Sequence, residues 1–120
     1  MLIAEPENDL LFLFKTYFSS LGMNPETVNT GHDALDCFLE SKDRKRPYDI
    51  IVVDTHLFNP SGLDVAKRIR SEKPDQKLVL VTTTPKENLP AECLKTAQIN
   101  DKNILTMPFK LSRLEEVLKN

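Results

Sequence analysis

The sequence predicts an α/β protein in which five strand–helix units build a parallel sheet covered by helices on both faces. Three observations predict it. Aliphatic runs alternate five times with segments of helical periodicity. The central run, Ile50-Ile51-Val52-Val53, is apolar at every position, as suits a strand buried on both faces. Two of the runs end abruptly in acids: Leu2-Ile3-Ala4 in Glu5-Pro6-Glu7, and Ile50–Val53 in Asp54. Open α/β sheets place their chemistry in the crevice beyond the carboxyl ends of the strands, where those acids would stand.

The elements follow in order. After the first strand, residues 8–21 set Leu10, Phe14, Tyr17, Phe18 and Leu21 on one helical face, and Gly22 stops the helix. A short second strand around Thr27–Asn29 follows Pro25. Thr30, with Asp33 three residues on, resembles a capping box opening a helix whose apolar face is Ala34, Leu35, Phe38 and Leu39. The basic loop 42–46 reads as a solvated connection into the third strand. Leu63–Glu72 is helical, with Leu63, Ala66 and Ile69 inward and Lys67, Arg68 and Arg70 outward; Pro74 lies beyond its end. Leu78–Val81 is the fourth strand, and Thr82-Thr83-Thr84-Pro85 its polar exit. A weaker helix spans 90–97, with Pro90 acceptable at its first position. Ile104–Met107 is the fifth strand and Leu111–Leu118 the last helix.

At 120 residues the chain reads as one domain, 1–120, with room for a genuine core. Hydrophobic residues make up 40% and charged residues 28%, a soluble globular balance. A net charge of −2 offers no bulk attraction to nucleic acid or an anionic membrane. No apolar stretch approaches the roughly 20 residues that span a bilayer, and no signal peptide precedes the first strand. Cys37 and Cys93 lack metal spacing and read as buried free thiols, so the expected compartment is the cytoplasm. His32 reads as a surface residue.

Five such units with right-handed crossovers wind the sheet on both faces. In the flavodoxin-like strand order 2-1-3-4-5, strands one and three are neighbours at the switch point, which brings Glu5, Glu7 and Asp54 together with Thr82 and Met107-Pro108. Nucleotide-binding loops are missing: the three glycines form neither G-x-G-x-x-G nor a Walker pattern, and no G-x-S-x-G elbow occurs. What remains is a carboxylate cluster suited to a hard divalent cation, or an aspartate that accepts a phosphoryl group beside one.

At these residues the chain resembles the receiver domain of two-component response regulators, along essentially its whole length. Asp54 falls at the family's phosphoacceptor, Gly62 at the glycine eight residues later, Val81-Thr82-Thr83 at the hydrophobic-hydroxyl signature, and Met107-Pro108-Phe109 at the Lys-Pro-Phe signature. The resemblance implies a flavodoxin-like (βα)5 fold, Asp54 as phosphoacceptor, Glu5 in an acidic pocket, Thr82 as switch hydroxyl and a cis peptide before Pro108. It also implies Mg²⁺ held by Glu5, Asp54 and the His56 backbone carbonyl, with the His56 ring a partly exposed loop group.

The departures predict a weakened site. Pro6 stands where the family has a second acid, with Glu7 one residue late, so Mg²⁺ is expected to bind weakly. Met107 replaces the lysine, Lys110 is the nearest substitute in sequence, and Ile104 occupies the aromatic switch position. With no lysine between them, repulsion of neighbouring carboxylates is expected to raise the pKa of Glu5 or Asp54. The function implied is a stand-alone phosphorelay receiver rather than an enzyme. It would be phosphorylated by a sensor histidine kinase or phosphotransfer protein, and would signal by protein contact through the face of helix 4, strand 5 and helix 5; a homodimer is a further expected partner. The alternative is a phosphorylation-independent pseudo-receiver that acts as an interaction module.

Overall fold

The apolar runs form the sheet that their composition predicts. A computed structural model describes residues 1–119, in which β1 (Leu2–Ala4), β2 (Glu26–Val28), β3 (Ile50–Asp54), β4 (Lys77–Thr82) and β5 (Ile104–Thr106) pair in parallel, in the order β2-β1-β3-β4-β5. Ala4 lies opposite Val53, Asp54 opposite Val81, and Thr82 opposite Thr106. The order reverses between β1 and β3, so both acid-tipped strands border the switch point.

Strand residues alternate between the two faces, and the packing follows that period of two. Leu2, Ala4, Ile51, Val53, Leu78 and Leu80 face α2 (Gly31–Asp43), α3 (Gly62–Glu72) and α4 (Ala91–Thr96), through Ala34, Phe38, Val65, Ala66 and Ile69. Ile3, Val52, Val79, Val81 and Leu105 face α1 (Asn8–Ser20) and α5 (Leu111–Lys119), through Phe14, Phe18, Leu114 and Val117. Two helices therefore cover one face and three the other. Each buried aromatic here contributes about 1.5–3 kcal/mol by leaving water. No helix among the described residues is long and apolar enough to cross a membrane.

Helix starts follow local chemistry. Thr30 Oγ1 accepts the Asp33 N–H at 3.1 Å, and Ser61 Oγ accepts the Asp64 N–H at 3.2 Å; each such cap is worth about 1 kcal/mol. The loop from β3 to α3 is held on two sides. The Gly31 N–H donates to the Phe58 carbonyl at 2.8 Å, and Gly62 packs directly on the backbone of Asp54.

Several expectations are corrected. Leu21 lies beyond α1 as an exposed C-cap, because the helix ends at Ser20. β2 begins one residue earlier than expected, β4 extends to include Thr82, and β5 stops at Thr106, before the cis Met107–Pro108 peptide. Arg70 does not point to solvent: its guanidinium folds back onto the carbonyls of Ala97, Pro74 and Gln76 at 2.9, 2.7 and 2.6 Å. A long cationic side chain can leave an outer helix face and still satisfy buried backbone. Cys37 and Cys93 are free but half-buried rather than buried. His32 is exposed, with Nδ1 3.3 Å from Asp36.

Candidate functional site

The strand exits at the switch point enclose a crevice of about 340 Å³ lined by Glu5, Glu7, Asp54, His56, Thr83 and Met107, with Pro6 and Leu10. The backbone places them there. Ile3, Val52, Val81 and Leu105 face α1 and α5, and two residues further along each strand stand Glu5, Asp54, Thr83 and Met107.

Asp54 is 5% exposed, and its Oδ1 accepts the His56 N–H at 2.7 Å. The His56 ring adds a second contact, with Nδ1 3.2 Å from the same oxygen. The other ring nitrogen, Nε2, lies 3.3 Å from Thr83 Oγ1. Gly62 is required by this geometry. A Cβ there would stand 2.1 Å from the Asp54 carbonyl oxygen and 2.9 Å from Thr55 Cα.

Glu5 is 2% exposed, and its Oε2 accepts the Glu7 N–H at 3.0 Å. Its other oxygen, Oε1, is buried without a partner. Burial pushes the Glu5 carboxyl up from 4.5 to about 8, reinforced by the adjacent Asp54 carboxyl and by the charges of Asp54 and Glu7. The expected rise falls on Glu5, and desolvation rather than charge repulsion is its first cause. Glu7 is exposed and serves as the N-cap position of α1 without a side-chain cap.

Thr82 does not face this crevice. It is fully buried on the opposite phase of β4, where its Oγ1 accepts from Thr55 Oγ1 at 2.7 Å and from the Thr84 N–H at 3.0 Å. The hydroxyl at the crevice is Thr83. Spacing to a family signature passes over it, whereas the period-two phase shared with Asp54 could have found it. Met107 is half-buried at the crevice, its N–H donating to the Thr82 carbonyl at 2.7 Å. The Met107–Pro108 peptide is cis, as is Asn59–Pro60, which no sequence pattern signals. Lys110 is exposed and lies outside the residues that line the crevice.

A larger concavity of about 510 Å³ lies at the opposite end of the sheet, beside Glu26, Cys37, Arg44 and Tyr48. Arg44 pairs there with Glu40 at 2.6 Å, and the Tyr48 hydroxyl donates to Glu26 at 2.8 Å. Burial pushes the Cys37 thiol and the Tyr48 phenol up, away from ionisation. The smaller crevice is the stronger candidate, because it combines buried carboxylates, an orphaned oxygen and a topological switch point.

A doubly wound parallel sheet with an aspartate and a second buried acid at its switch point defines a class of α/β modules whose ligands sit beyond the carboxyl ends of the strands. The chain belongs to the response regulator receiver domain family, whose model matches residues 1–119. The Regulatory protein LuxO of Vibrio cholerae is 27% identical over 118 residues, covering 98% of this chain and 24% of that protein. The response regulator SaeR of Staphylococcus aureus is 28% identical over 88 residues, covering 73% of this chain and 36% of that protein. This chain thus spans about a quarter to a third of the length of these curated relatives. Among solved structures, the response regulator TrrA of Thermotoga maritima, in complex with Mg²⁺ and BeF, superposes with a TM-score of 0.81 at 26% identity, covering 98% of this chain and 94% of that one. A CheY-like receiver domain from Methylobacillus flagellatus gives 0.74 at 30% identity, covering 98% and 93%.

Proposed function

We propose that this receiver is operated by phosphorylation: Asp54 accepts a phosphoryl group from a phosphohistidine on a histidine kinase or phosphotransfer protein. The observation that carries this reading is the Asp54 carboxylate itself, buried beside Glu5 at the switch point and anchored among the described residues through Oδ1. The anchored Oδ1 leaves Oδ2 to attack phosphorus. A P–O bond forms as the P–N bond breaks, and the departing imidazole nitrogen keeps the bonding pair and is protonated as it leaves. The chain then acts as a signalling module rather than an enzyme.

The residues present fit a hard divalent cation. The donors are all oxygens, and the unpartnered Glu5 Oε1 is an acceptor with no positive partner. Glu5, Asp54 and the His56 carbonyl would hold Mg²⁺. Pro6 supplies no side-chain oxygen, which supports weak affinity, and Glu7 lies at the rim of the crevice. When bound, the ion supplies charge neutralisation for the transferred oxygens. The Glu5 carboxyl must release its proton to become a ligand, so binding strengthens as pH rises.

Output would pass to a downstream protein across the α4–β5–α5 face. The Met107 N–H bond to the Thr82 carbonyl ties the tip of β5 to β4 and so links that face to the crevice. The net charge of −2 supports a protein partner rather than nucleic acid or an anionic membrane, and free Cys37 and Cys93 suit the cytoplasm. The test is an amide NMR titration with beryllofluoride and Mg²⁺. The expected result is a set of shifts around residues 54–56 and 82–84 that vanishes in Asp54→Asn. No Asp54-dependent shift would contradict phosphoacceptance and leave the pseudo-receiver reading in its place.

A further inference from the structure

The concavity of about 510 Å³ at the end of the sheet opposite Asp54 falls within the roughly 300–1,000 Å³ of small-molecule sites. Its walls are Glu26 at the start of β2, Cys37 and Ser41 on α2, and Arg44, Arg46 and Tyr48 in the chain leading to β3. The chain reverses at the end of α2 to build it. The Lys45 N–H donates to the Lys42 carbonyl at 3.1 Å and the Arg46 N–H to the Ser41 carbonyl at 2.9 Å, with Lys45 at φ +56°. These overlapping bonds form a Schellman turn, which carries Arg46 back beside Ser41 and into the wall of the concavity.

The charges along this wall are unequally engaged. Glu40 accepts from Arg44 Nη2 at 2.6 Å, and Glu26 Oε2 accepts from the Tyr48 hydroxyl at 2.8 Å. Lys42 turns away to the Glu72 carboxylate at 3.0 Å. The Arg46 guanidinium has no hydrogen-bonding or ionic partner among the described residues. The carbonyls of Glu40, Ser41 and Lys42 are each taken by a backbone N–H, so the end of α2 leaves the donors of Arg46 unengaged. Burial pushes the Cys37 thiol up, so near neutral pH it adds no negative charge to the wall. A cation entering here meets carboxylates that already hold a donor. An anion meets a guanidinium whose fork of N–H groups matches the oxygens of a carboxylate or phosphate. The ring of half-buried Tyr48 and the side chain of Cys37 supply a less polar surface in the same concavity.

We infer that this concavity binds a small organic anion, whose carboxylate or phosphate group is held by Arg46 and whose body lies against Tyr48 and Cys37. The site is separate from the Asp54 crevice, and the inference does not rest on phosphorylation of Asp54.

The experiment is an amide NMR titration with phenyl phosphate and, separately, with benzoate, in metal-free buffer with sodium chloride at matched ionic strength as the blank. The two probes share an aromatic body and differ in the anionic group, so their relative affinities decide between phosphate and carboxylate. The expected result is a set of saturable shifts at residues 37–48 with at least one probe. Arg46→Gln should weaken that binding about tenfold or more. Lys45→Gln removes the same charge from the same loop but outside the lining of the concavity, and should keep near wild-type affinity. The Arg46 side chain is exposed, so its variant is expected to fold; the amide spectrum of each free variant checks this directly. No saturable shift at 37–48 with either probe, or shifts at 54–56 alone, would overturn the inference. Undiminished binding in Arg46→Gln, or an equal loss in Lys45→Gln, would overturn it as well. None of these outcomes bears on Asp54 as phosphoacceptor.

Discussion

Replacing Gly62 by alanine tests how tightly the acceptor strand is held. The added Cβ would lie 2.1 Å from the Asp54 carbonyl oxygen and 2.9 Å from both Asp54 C and Thr55 Cα. Carbon–oxygen contacts settle near about 3.3 Å, so the start of α3 and the end of β3 must part by about 1 Å. All three obstacles are backbone atoms, so no rotamer change relieves them. Overpacking of this kind costs about 1–3 kcal/mol, partly offset by alanine's better helix propensity, at most about 1 kcal/mol. A net loss of about 2 kcal/mol, with an unfolding entropy near 2.1 cal/mol/K per residue, lowers the melting temperature by about 8 °C. Gly22→Ala is the control. Gly22 has φ +82°, and no atom lies within 4 Å of the point an alanine methyl would occupy, so the cost there is left-handed strain alone, about 1–2 kcal/mol. Circular-dichroism melts of both variants give the comparison, and amide shifts at 54–56 should move in Gly62→Ala alone. A Gly62→Ala protein that melts with the wild type and leaves those shifts in place would refute the packing described here.

Two further outcomes follow from the crevice. The raised Glu5 pKa means that the folded protein holds a proton that the unfolded chain releases above about 4.5, so this contribution is fully present below that pH and is lost as pH rises through about 8. Glu5→Gln cannot ionise. In metal-free buffer, urea unfolding should show the wild type losing stability relative to Glu5→Gln between those limits, and parallel pH profiles would count against the assignment. Met107→Lys places an ammonium beside Glu5 and Asp54, which should lower the Glu5 pKa and tighten beryllofluoride binding about tenfold; carboxyl-carbon NMR titration and the mimic titration check each part, and no change in either would show that position 107 does not address the pocket.

The central strand and its acid were legible because Ile50–Val53 is apolar without alternation, a pattern that few structures other than a covered parallel strand satisfy. Edge strand β2 carries no such signal: Glu26 is exposed and Thr27 and Val28 are only half-buried, so its position was readable only to within a residue. The short 3-10 turns at Lys86–Asn88 and Asp101–Asn103 have no periodicity to reveal them. The acids of the site were legible from their positions at strand ends. The crevice hydroxyl was not, because a signature counts residues along the chain while the sheet sorts them by phase, and Thr82 and Thr83 fall on opposite faces. The Glu5 shift was foreseen as repulsion between carboxylates. Its main cause, burial with Oε1 unpartnered, depends on how α1 and the loop after β1 close over the strand end, which no local pattern encodes.

The central claim is that Asp54 is the group that takes phosphate. Phosphoramidate carries a P–N bond like that of phosphohistidine and needs no cognate kinase. The most direct measurement is intact-protein mass after incubation with phosphoramidate and Mg²⁺, followed by peptide mapping of the modified species. The expected result is a gain of one phosphoryl group, located on Asp54 and absent from Asp54→Asn. An unchanged mass under these conditions, or a phosphoryl group that maps elsewhere and survives in Asp54→Asn, would contradict it.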